Sequence, residues 1–325
     1  MIRTATRLAL VTAVLAPFGA ATAFAQSPRG ISLRLDNDAF DFWMQPYNRP
    51  DEEYTSGVHI TYDGARAPWW SRSFFSGAPA CTFHVQDCRS ARAELGQDIY
   101  TPSASVDDPR PVAGSRANGG WLYFAQSAQS LHESRSDEFT VSLGVTGPPS
   151  LAQFTQTLAH SVAPAFNRPT DWSRQIRFEP GAIVSYEQQR RTLAYSAGQF
   201  GVDVLPSVSV KAGNVETGAA AGVESRAGWN LPHPWLPESV PASIALVGGV
   251  STRAVLRDIF LDGNTFHPSY RVGHDFLVGS GDIGVELRYR AFSLSYRAVS
   301  ESRAYAGGPA WHPWASIVSG VTFDR

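Results

Sequence analysis

The chain has 325 residues and a formal net charge of −2, and only 17% of its residues are charged. Soluble domains usually carry about 25% charged residues, and no basic run is present, which argues against nucleic acid as a partner. Beyond residue 25 there is no apolar run of about 18 residues, so the sequence predicts no transmembrane helix.

The N-terminus predicts export. Two arginines precede an apolar stretch over residues 8–21, and Ala23-Phe24-Ala25 is a small-residue cleavage site. This order is typical of a secretory signal peptide, so we expect residues 1–25 to be removed. The alternative is an uncleaved membrane anchor, which the short apolar stretch disfavours.

The remaining residues, 26–325, alternate between apolar and polar positions, as strands do. In the clearest case Ile283, Val285 and Leu287 alternate with Glu286 and Arg288. A membrane barrel with a wet lumen accepts such a charged face, and its lipid face and rims explain the 12% of aromatic residues. The sequence therefore predicts an all-β fold, a transmembrane antiparallel β-barrel of about twelve strands. The predicted strands lie near 31–39, 53–64, 91–101, 119–131, 136–146, 174–197, 202–214, 215–229, 242–257, 272–290, 292–301 and 313–323.

An even number of strands places both chain ends in the periplasm. Segments 40–52, 102–118, 147–173, 258–271 and 302–312 then lie outside the cell. Cys81 and Cys88 fall in an oxidising periplasmic loop, where we expect a disulfide. Insertion would require the barrel assembly machinery, whose signals usually end on an aromatic residue. Here two charged residues follow Phe323.

Residues 150–165 predict an amphipathic helix in an extracellular loop. Ser150 is a suitable N-cap. Gln156 and His160 lie one turn apart on the polar face, opposite an apolar stripe that includes Phe154 and Leu158. In one interpretation the helix rests at the membrane interface with its histidine in water. In the other, the polar face meets the barrel wall and His160 acts as a general base.

A polar cluster is predicted where the first two strands meet. Asn37 and Asp38 end the first strand, and Thr55 lies at the start of the second, its antiparallel neighbour. The alternation points Asn37 outward, where a polar side chain needs a cover, and Asp38 inward unless the strand twists. Such oxygen ligands suit Ca²⁺, although polar residues at a barrel rim are the simpler explanation.

Several motifs together resemble the lipid A 3′-O-deacylase (LpxR-like) family of Gram-negative outer membranes. No single motif is highly specific, but the ordered set is, and it covers most of the first 200 residues. The motifs are Asn37-Asp38, Tyr54-Thr55-Ser56-Gly57, Gly96-Gln97-Asp98-Ile99-Tyr100-Thr101-Pro102-Ser103, Gly147-Pro148, Gln156-Thr157-Leu158-Ala159-His160 and Trp172-Ser173-Arg174-Gln175.

The resemblance implies a twelve-stranded barrel in the outer membrane, with a site between the outer wall and a loop helix. It implies a monomeric hydrolase that removes the 3′-linked acyloxyacyl chain of lipid A in lipopolysaccharide, with Ca²⁺ as cofactor. By the same resemblance His160 is the general base, Asn37 and Thr55 orient the reacting groups, and Asp38 binds the ion. The physical chemistry agrees, because a cation offsets developing negative charge and water needs a base.

Two departures from the family pattern affect substrate contacts. The family's loop lysine is missing from residues 104–110, and the aspartate that often precedes Arg116 is replaced by a serine. Arg110 offers a different cationic group for a phosphate or carbonyl. We expect Arg110, Arg116 and Gln156 to contact the substrate.

Two other functions remain open at this point. His132 and Ser134 lie two residues apart, which is similar to a Ser-His outer-membrane phospholipase, but the Asn-Gly of that family is absent. The second alternative is a catalytically inactive or porin-like barrel, in which Arg34 and other inward-facing charges fill a narrow lumen.

Overall fold

The computed structural model describes residues 29–41, 51–64, 67–73, 78–82, 87–105, 108–162, 171–238 and 240–323. The predicted signal peptide lies outside these residues.

Twelve antiparallel strands form a closed barrel, as predicted. Each strand pairs with its neighbours in sequence, and the last strand pairs with the first. One strand, β6, has two segments that both pair with β7. The strands are β1 (Gly30–Asn37), β2 (Glu53–Asp63), β3 (Cys88–Thr101), β4 (Gly119–Leu131), β5 (Arg135–Thr146), β6 (Glu179–Arg190 and Leu193–Ala197), β7 (Phe200–Gly213), β8 (Glu216–Trp229), β9 (Ala242–Asp258), β10 (Leu277–Tyr289), β11 (Phe292–Ser302) and β12 (Trp311–Thr322).

The described parts of the loops contain two α-helices, α1 (Ala152–Val162) and α2 (Ile259–Asp262). The described loops also contain three short 3-10 turns, Asp38–Asp41, Trp69–Ser73 and Pro148–Ser150, and a small two-stranded sheet of Ala104–Ser105 and Asp108–Pro111. No helix within the described ranges is both long and apolar enough to cross a membrane. Below, the barrel end that carries α1 is called the helix end, and the opposite end, where β1 begins and β12 ends, is called the terminal end.

Alternation along each strand separates an apolar outer face from a charged lumen. On β10, Ile283 is 60% exposed on the outside, whereas Glu286 is 8% exposed inside. Arg297 crosses the lumen and binds Glu224 at 2.6 Å and Glu286 at 2.9 Å. Other charged side chains, among them Arg34, Arg92 and Glu94, line a cavity of about 350 Å³ in the lumen. A lumen filled in this way does not favour the porin-like alternative.

A small apolar cluster lies at the terminal end. The predicted disulfide joins Cys81 to Cys88, and both cysteines pack with Leu131 and with Trp235 and Leu236 of the 230–241 connection. Trp235 is also fixed through its ring nitrogen, which donates to the carbonyl of His132. The connection is therefore held against the strand ends.

His233 makes the packing of this connection sensitive to pH. Its Nε2 donates to the carbonyl of Glu133 at 2.9 Å, and its Nδ1 accepts from the amide of Leu236 at 3.1 Å. Burial lowers the pKa of His233 to about 4, helped by the nearby charges of Arg191 and Arg226. The folded protein therefore keeps a neutral ring that the unfolded chain protonates below about pH 6.5.

We expect the free energy of unfolding to fall as the pH drops from about 6.5 toward 4. The unfolded chain takes up a proton in this range that the folded chain refuses, and the loss from pH 7 to pH 5 should be about 1–2 kcal/mol. Urea unfolding in detergent micelles measures it. A His233→Asn variant, which has no titrating ring, should show a smaller pH dependence, and an unchanged dependence contradicts this role.

Candidate functional site

Helix α1 lies on the outside of the barrel wall. Just before it, the carbonyl of Ser150 accepts a hydrogen bond at 2.6 Å from Nε2 of Gln97, whose side chain shares the outward face of β3 with the lipid-exposed Leu95. Gly120 on β4 makes room for this contact, because a Cβ there would lie 2.2 Å from Oγ of Ser150 and 2.4 Å from Cβ of Ala152. The missing side chain lets the start of α1 pack directly on the wall.

The predicted N-cap is wrong in detail. Ser150 Oγ donates to the carbonyl of Gly147 at 2.6 Å within the 3-10 turn. The helix begins at Ala152, after Leu151 in the left-handed region at φ +60°. The Gly-Pro-Pro sequence forms a separate turn first, and this turn uses the serine hydroxyl.

The apolar stripe of α1 points away from the barrel and the polar face points toward it. Phe154 is 65% exposed, whereas Gln156 is 5% exposed. This is the second of the two orientations considered from the sequence. Lipid would cover the exposed stripe, and the histidine is held between helix and wall.

His160 forms a pair with a carboxylate that sequence reasoning did not single out. Its Nε2 lies 2.9 Å from Oδ2 of Asp51, just before β2, and both side chains are largely buried. Gln156 donates to the same carboxylate oxygen, and its own carbonyl accepts from the indole of Trp172 at 2.9 Å. With Nε2–H directed at Asp51, a neutral ring carries its lone pair on Nδ1. This arrangement is that of a histidine base oriented by a carboxylate.

Asn37 and Thr55 lie together, as predicted from the hairpin. The Asn37 side-chain amide donates to the carbonyl of Thr55 at 3.1 Å and accepts from the amide of Ala39 at 2.8 Å. A bulge between Tyr54 and Ser56 breaks the register with β3. At this bulge Oγ1 of Thr55 lies 2.6 Å from Oγ1 of Thr101.

Asp38 lies in the turn that follows β1. Its Oδ2 accepts from the amide of Glu52 at 3.2 Å. The five residues from Asp51 to Thr55 therefore link the groups: the first contacts His160, the second Asp38 and the last Asn37. Such a segment spans at most about 14 Å. The predicted site residues on β1, β2 and α1 thus belong to one region.

The same segment is anchored from inside the barrel mouth by Glu53. This residue has φ +58°, an unfavourable backbone conformation for a side chain with a Cβ. Its carboxylate accepts from Arg116 at 3.2 Å and from the hydroxyl of Tyr305 at 2.7 Å. The Arg116 guanidinium also lies 4.5 Å from the ring centre of Tyr100, and the residue is 4% exposed. In this structure Arg116 faces Glu53.

Replacing Arg116 with alanine should destabilise the barrel mouth and the site together. It leaves the Glu53 carboxylate buried without its cation, which typically costs about 3–5 kcal/mol. Urea unfolding and ester hydrolysis should both report the loss. The double variant Arg116→Ala/Glu53→Gln removes the charge and should recover part of the stability. Equal stability of Arg116→Ala and the wild type would contradict this anchor.

Arg110 lies on the extracellular-loop segment that follows β3. It belongs to a small sheet of its own, formed by Ala104–Ser105 and Asp108–Pro111, and its side chain is exposed. Its predicted contact with substrate stays a prediction.

The family profile described as outer membrane protein LpxR matches residues 8–323. The chain belongs to the LpxR family. The structure of LpxR from Salmonella typhimurium covers 90% of this chain and 100% of that chain, with 18% identity and a TM-score of 0.73, so the two share a fold. Membership of the LpxR family places the barrel in the outer membrane.

Other solved barrels match less well. The β domain of the Bordetella autotransporter BrkA covers 92% of this chain and 99% of its own, with 10% identity and a TM-score of 0.45. The translocator domain of NalP from Neisseria meningitidis covers 98% of this chain and 94% of its own, with 10% identity and a TM-score of 0.39. No curated protein matches the chain.

The Ca²⁺ expected from the sequence would find few charged ligands at this site. Within the described residues, no three histidine, cysteine or acidic side chains form a group that would hold a metal ion. Asp38 would therefore have to bind the ion together with neutral oxygens, which Ca²⁺ accepts. The amide oxygen of Asn37 and the hydroxyl and carbonyl oxygens of Thr55 are neutral oxygens of the same region, and each takes part in a hydrogen bond within the protein. The donor set fits Ca²⁺ by its all-oxygen character.

Proposed function

We propose that this protein is an outer-membrane lipid A deacylase that hydrolyses the ester-linked 3′-O-acyloxyacyl chain of lipopolysaccharide. The observation that carries this proposal is the His160–Asp51 pair, held outside the barrel wall beneath a helix whose apolar side is exposed. A base in this position meets lipid molecules rather than solutes in the lumen. The family resemblance supplies the substrate.

The long loops support the orientation that this function needs. Outer-membrane barrels have short periplasmic turns and longer extracellular loops. Connections 38–52, 102–118, 147–178 and 259–276 lie at the helix end. Three of the five connections at the terminal end have two or three residues, and the longer two are 64–87 and 230–241. With the helix end outside the cell, the His160 site faces the leaflet that contains lipopolysaccharide.

The proposed reaction begins with removal of a proton from water by Nδ1 of His160. The water oxygen attacks the ester carbonyl carbon, and the resulting tetrahedral intermediate expels the 3′ oxygen of the sugar, which takes the proton from His160. Asp51 keeps the ring in place and stabilises its positive charge. Gln156 holds the carboxylate of Asp51, while Asn37 and Thr55 fix the neighbouring wall.

Asp38, with neutral oxygens of Asn37 and Thr55, would hold the Ca²⁺ ion. When bound, the ion supplies positive charge that stabilises the developing oxyanion. Arg110 remains the proposed contact for a lipid A phosphate, in place of the missing lysine.

Removing calcium should abolish hydrolysis. With EGTA we expect a loss of at least about 100-fold, the magnitude typical of a lost oxyanion stabiliser, and recovery when Ca²⁺ is returned. Mg²⁺ should restore little of the hydrolytic activity, because this ion requires a smaller site with octahedral geometry. Asp38→Asn should raise the Ca²⁺ concentration needed for half-maximal rate. Full activity in EGTA contradicts the calcium proposal but does not affect the assignment of His160 as the general base.

The substrate assignment can be tested with the purified barrel in detergent. Lipid A is supplied either with or without its 3′ acyloxyacyl chain, and mass spectrometry identifies the products. We expect loss of one acyloxyacyl mass from the first substrate and no change in the second. Cleavage of the second at an equal rate contradicts the 3′ assignment.

A further inference from the structure

A second hydroxyl–imidazole–carboxylate chain lies at the terminal end of the barrel. His132 Nδ1 lies 2.8 Å from Oδ1 of Asp87, and His132 Nε2 lies 3.1 Å from Oγ of Ser130. This is the order in which serine hydrolases connect their nucleophile, base and orienting carboxylate. The sequence had suggested Ser134 as the partner of His132, whereas the structure pairs it with Ser130.

Strand register builds this arrangement. Cys88 on β3 pairs with Leu131 on β4, so Asp87 and His132 lie opposite each other just beyond this pair. Both paired residues are buried in the cluster around the disulfide. Ser130 precedes Leu131 and shares the outward face of β4 with Phe124, which is exposed to lipid.

The turn that carries His132 is held at several points. Its amide donates to the carbonyl of Arg135 at 2.8 Å, and its carbonyl accepts from the indole of Trp235. The next carbonyl, that of Glu133, accepts from His233 at 2.9 Å. The imidazole is therefore positioned by the fold before any ligand binds, as a catalytic base requires.

An open cavity of about 420 Å³ lies beside the imidazole, and its lining contains two arginines and the acidic residues Asp87 and Glu133. Arg135 and Arg190 line it, and each keeps one contact of its own, Arg135 with Asp137 at 2.7 Å and Arg190 with Gln188 at 3.0 Å. Arginine side chains suit phosphate. Phospholipids carry a phosphate in the headgroup and ester carbonyls just inside the apolar layer, which matches two arginines beside a histidine that contacts an outward serine.

We propose that Ser130, His132 and Asp87 form a second ester-hydrolysing site, which acts on glycerophospholipids of the periplasmic leaflet. His132 Nε2 takes the proton of Ser130 as its Oγ bonds to the acyl carbonyl carbon. The ester C–O bond then breaks, and the alcohol oxygen of the lysophospholipid receives the proton from His132. Water, activated by the same histidine, hydrolyses the acyl-serine and releases the fatty acid.

Each residue has a defined part in this reaction. Asp87 orients His132 and stabilises its charged form. The arginines of the cavity bind the phosphate and offset the charge of the tetrahedral intermediate. None of the residues belongs to the His160 site, so the proposal stands or falls independently of the lipid A activity.

The first test is covalent labelling of the purified, full-length barrel with a fluorophosphonate probe, followed by mass spectrometry of its peptides. We expect label on Ser130 in the wild type and equally in His160→Ala. Labelling should be absent in Ser130→Ala, at least about 100-fold slower in His132→Ala and about 10-fold or more slower in Asp87→Asn. Ser127→Ala is the matched control, because Ser127 lies on the same strand but faces the lumen, bonded to Thr140.

Heat-modifiable migration on a gel verifies that each variant is folded. Absence of label on Ser130 in the folded wild type overturns the proposal, as does a labelling rate that His132→Ala leaves unchanged.

The second test supplies vesicles of phosphatidylethanolamine and phosphatidylglycerol and measures released fatty acid. We expect release that depends on Ser130 and persists in His160→Ala, together with lipid A deacylation that persists in Ser130→Ala. Label on Ser130 without release from these vesicles overturns the phospholipid assignment. Failure of lipid A deacylation alone leaves this site intact.

Discussion

Replacing His160 with alanine is expected to lower kcat for lipid A deacylation by about 10²–10⁴-fold, the contribution typical of a general base. Asp51→Asn should lower kcat by a comparable factor. The asparagine keeps the size of the side chain but presents an amide to the imidazole, which no longer fixes the tautomer or stabilises the charged ring. Rates on purified lipid A with excess Ca²⁺ measure both effects.

Gln153→Ala is the matched control for these variants. Gln153 lies on α1 with its side chain exposed, and we expect its replacement to leave kcat within about twofold. The losses of kcat in His160→Ala and Asp51→Asn should not add in the double variant, because the effects of residues that act as a unit are far from additive. A His160→Ala protein that keeps the wild-type rate would exclude this residue as the base.

A second large loss is expected from Gly120→Leu. The Cβ alone would overlap Ser150 and Ala152, and a leucine side chain cannot fit between wall and helix. Helix α1 must then move outward, which separates His160 from Asp51 on the wall side. We expect at least about 100-fold lower activity, since small misplacements of reacting groups have effects of this size.

The graded variant Gly120→Ala should lose less, because only Ser150 and Ala152 need to shift. Phe124→Leu is the control on the same strand, since Phe124 also faces outward but is exposed to lipid. The barrel itself should stay folded in all three variants, which heat-modifiable migration tests. Wild-type activity in Gly120→Leu would show that the close approach of α1 to the wall is not needed.

The strands were predictable because a barrel wall repeats a simple pattern of apolar and polar residues. The clearest errors lie where other contacts interrupt that pattern. The predicted strand 174–197 is broken at Arg191, whose side chain turns to bind Asp203 at 2.7 Å. The predicted strand 272–290 begins later, at Leu277, because Val272 bonds to the carbonyl of Leu261 in the preceding loop.

The site was only partly predictable. Hairpin pairing placed Asn37 beside Thr55, since neighbouring strands must meet at their shared end. The amphipathic pattern of α1 identified its polar face but not what that face contacts, so two orientations stayed open. Asp51 was not predicted because loop residues show no periodic pattern of apolar and polar positions. Arg116 was assigned from local sequence alone, which carries no information on the 63-residue separation from its partner Glu53.

The most direct test of the central claim is mass spectrometry of lipid A from cells that express the wild type, Asp51→Asn or Gln153→Ala with calcium supplied. Asp51 is chosen because the structure alone assigns it. We predict loss of the acyloxyacyl mass in cells with the wild type and Gln153→Ala, and intact lipid A in cells with Asp51→Asn. Equal deacylation by Asp51→Asn, at equal amounts of folded barrel, would contradict the account.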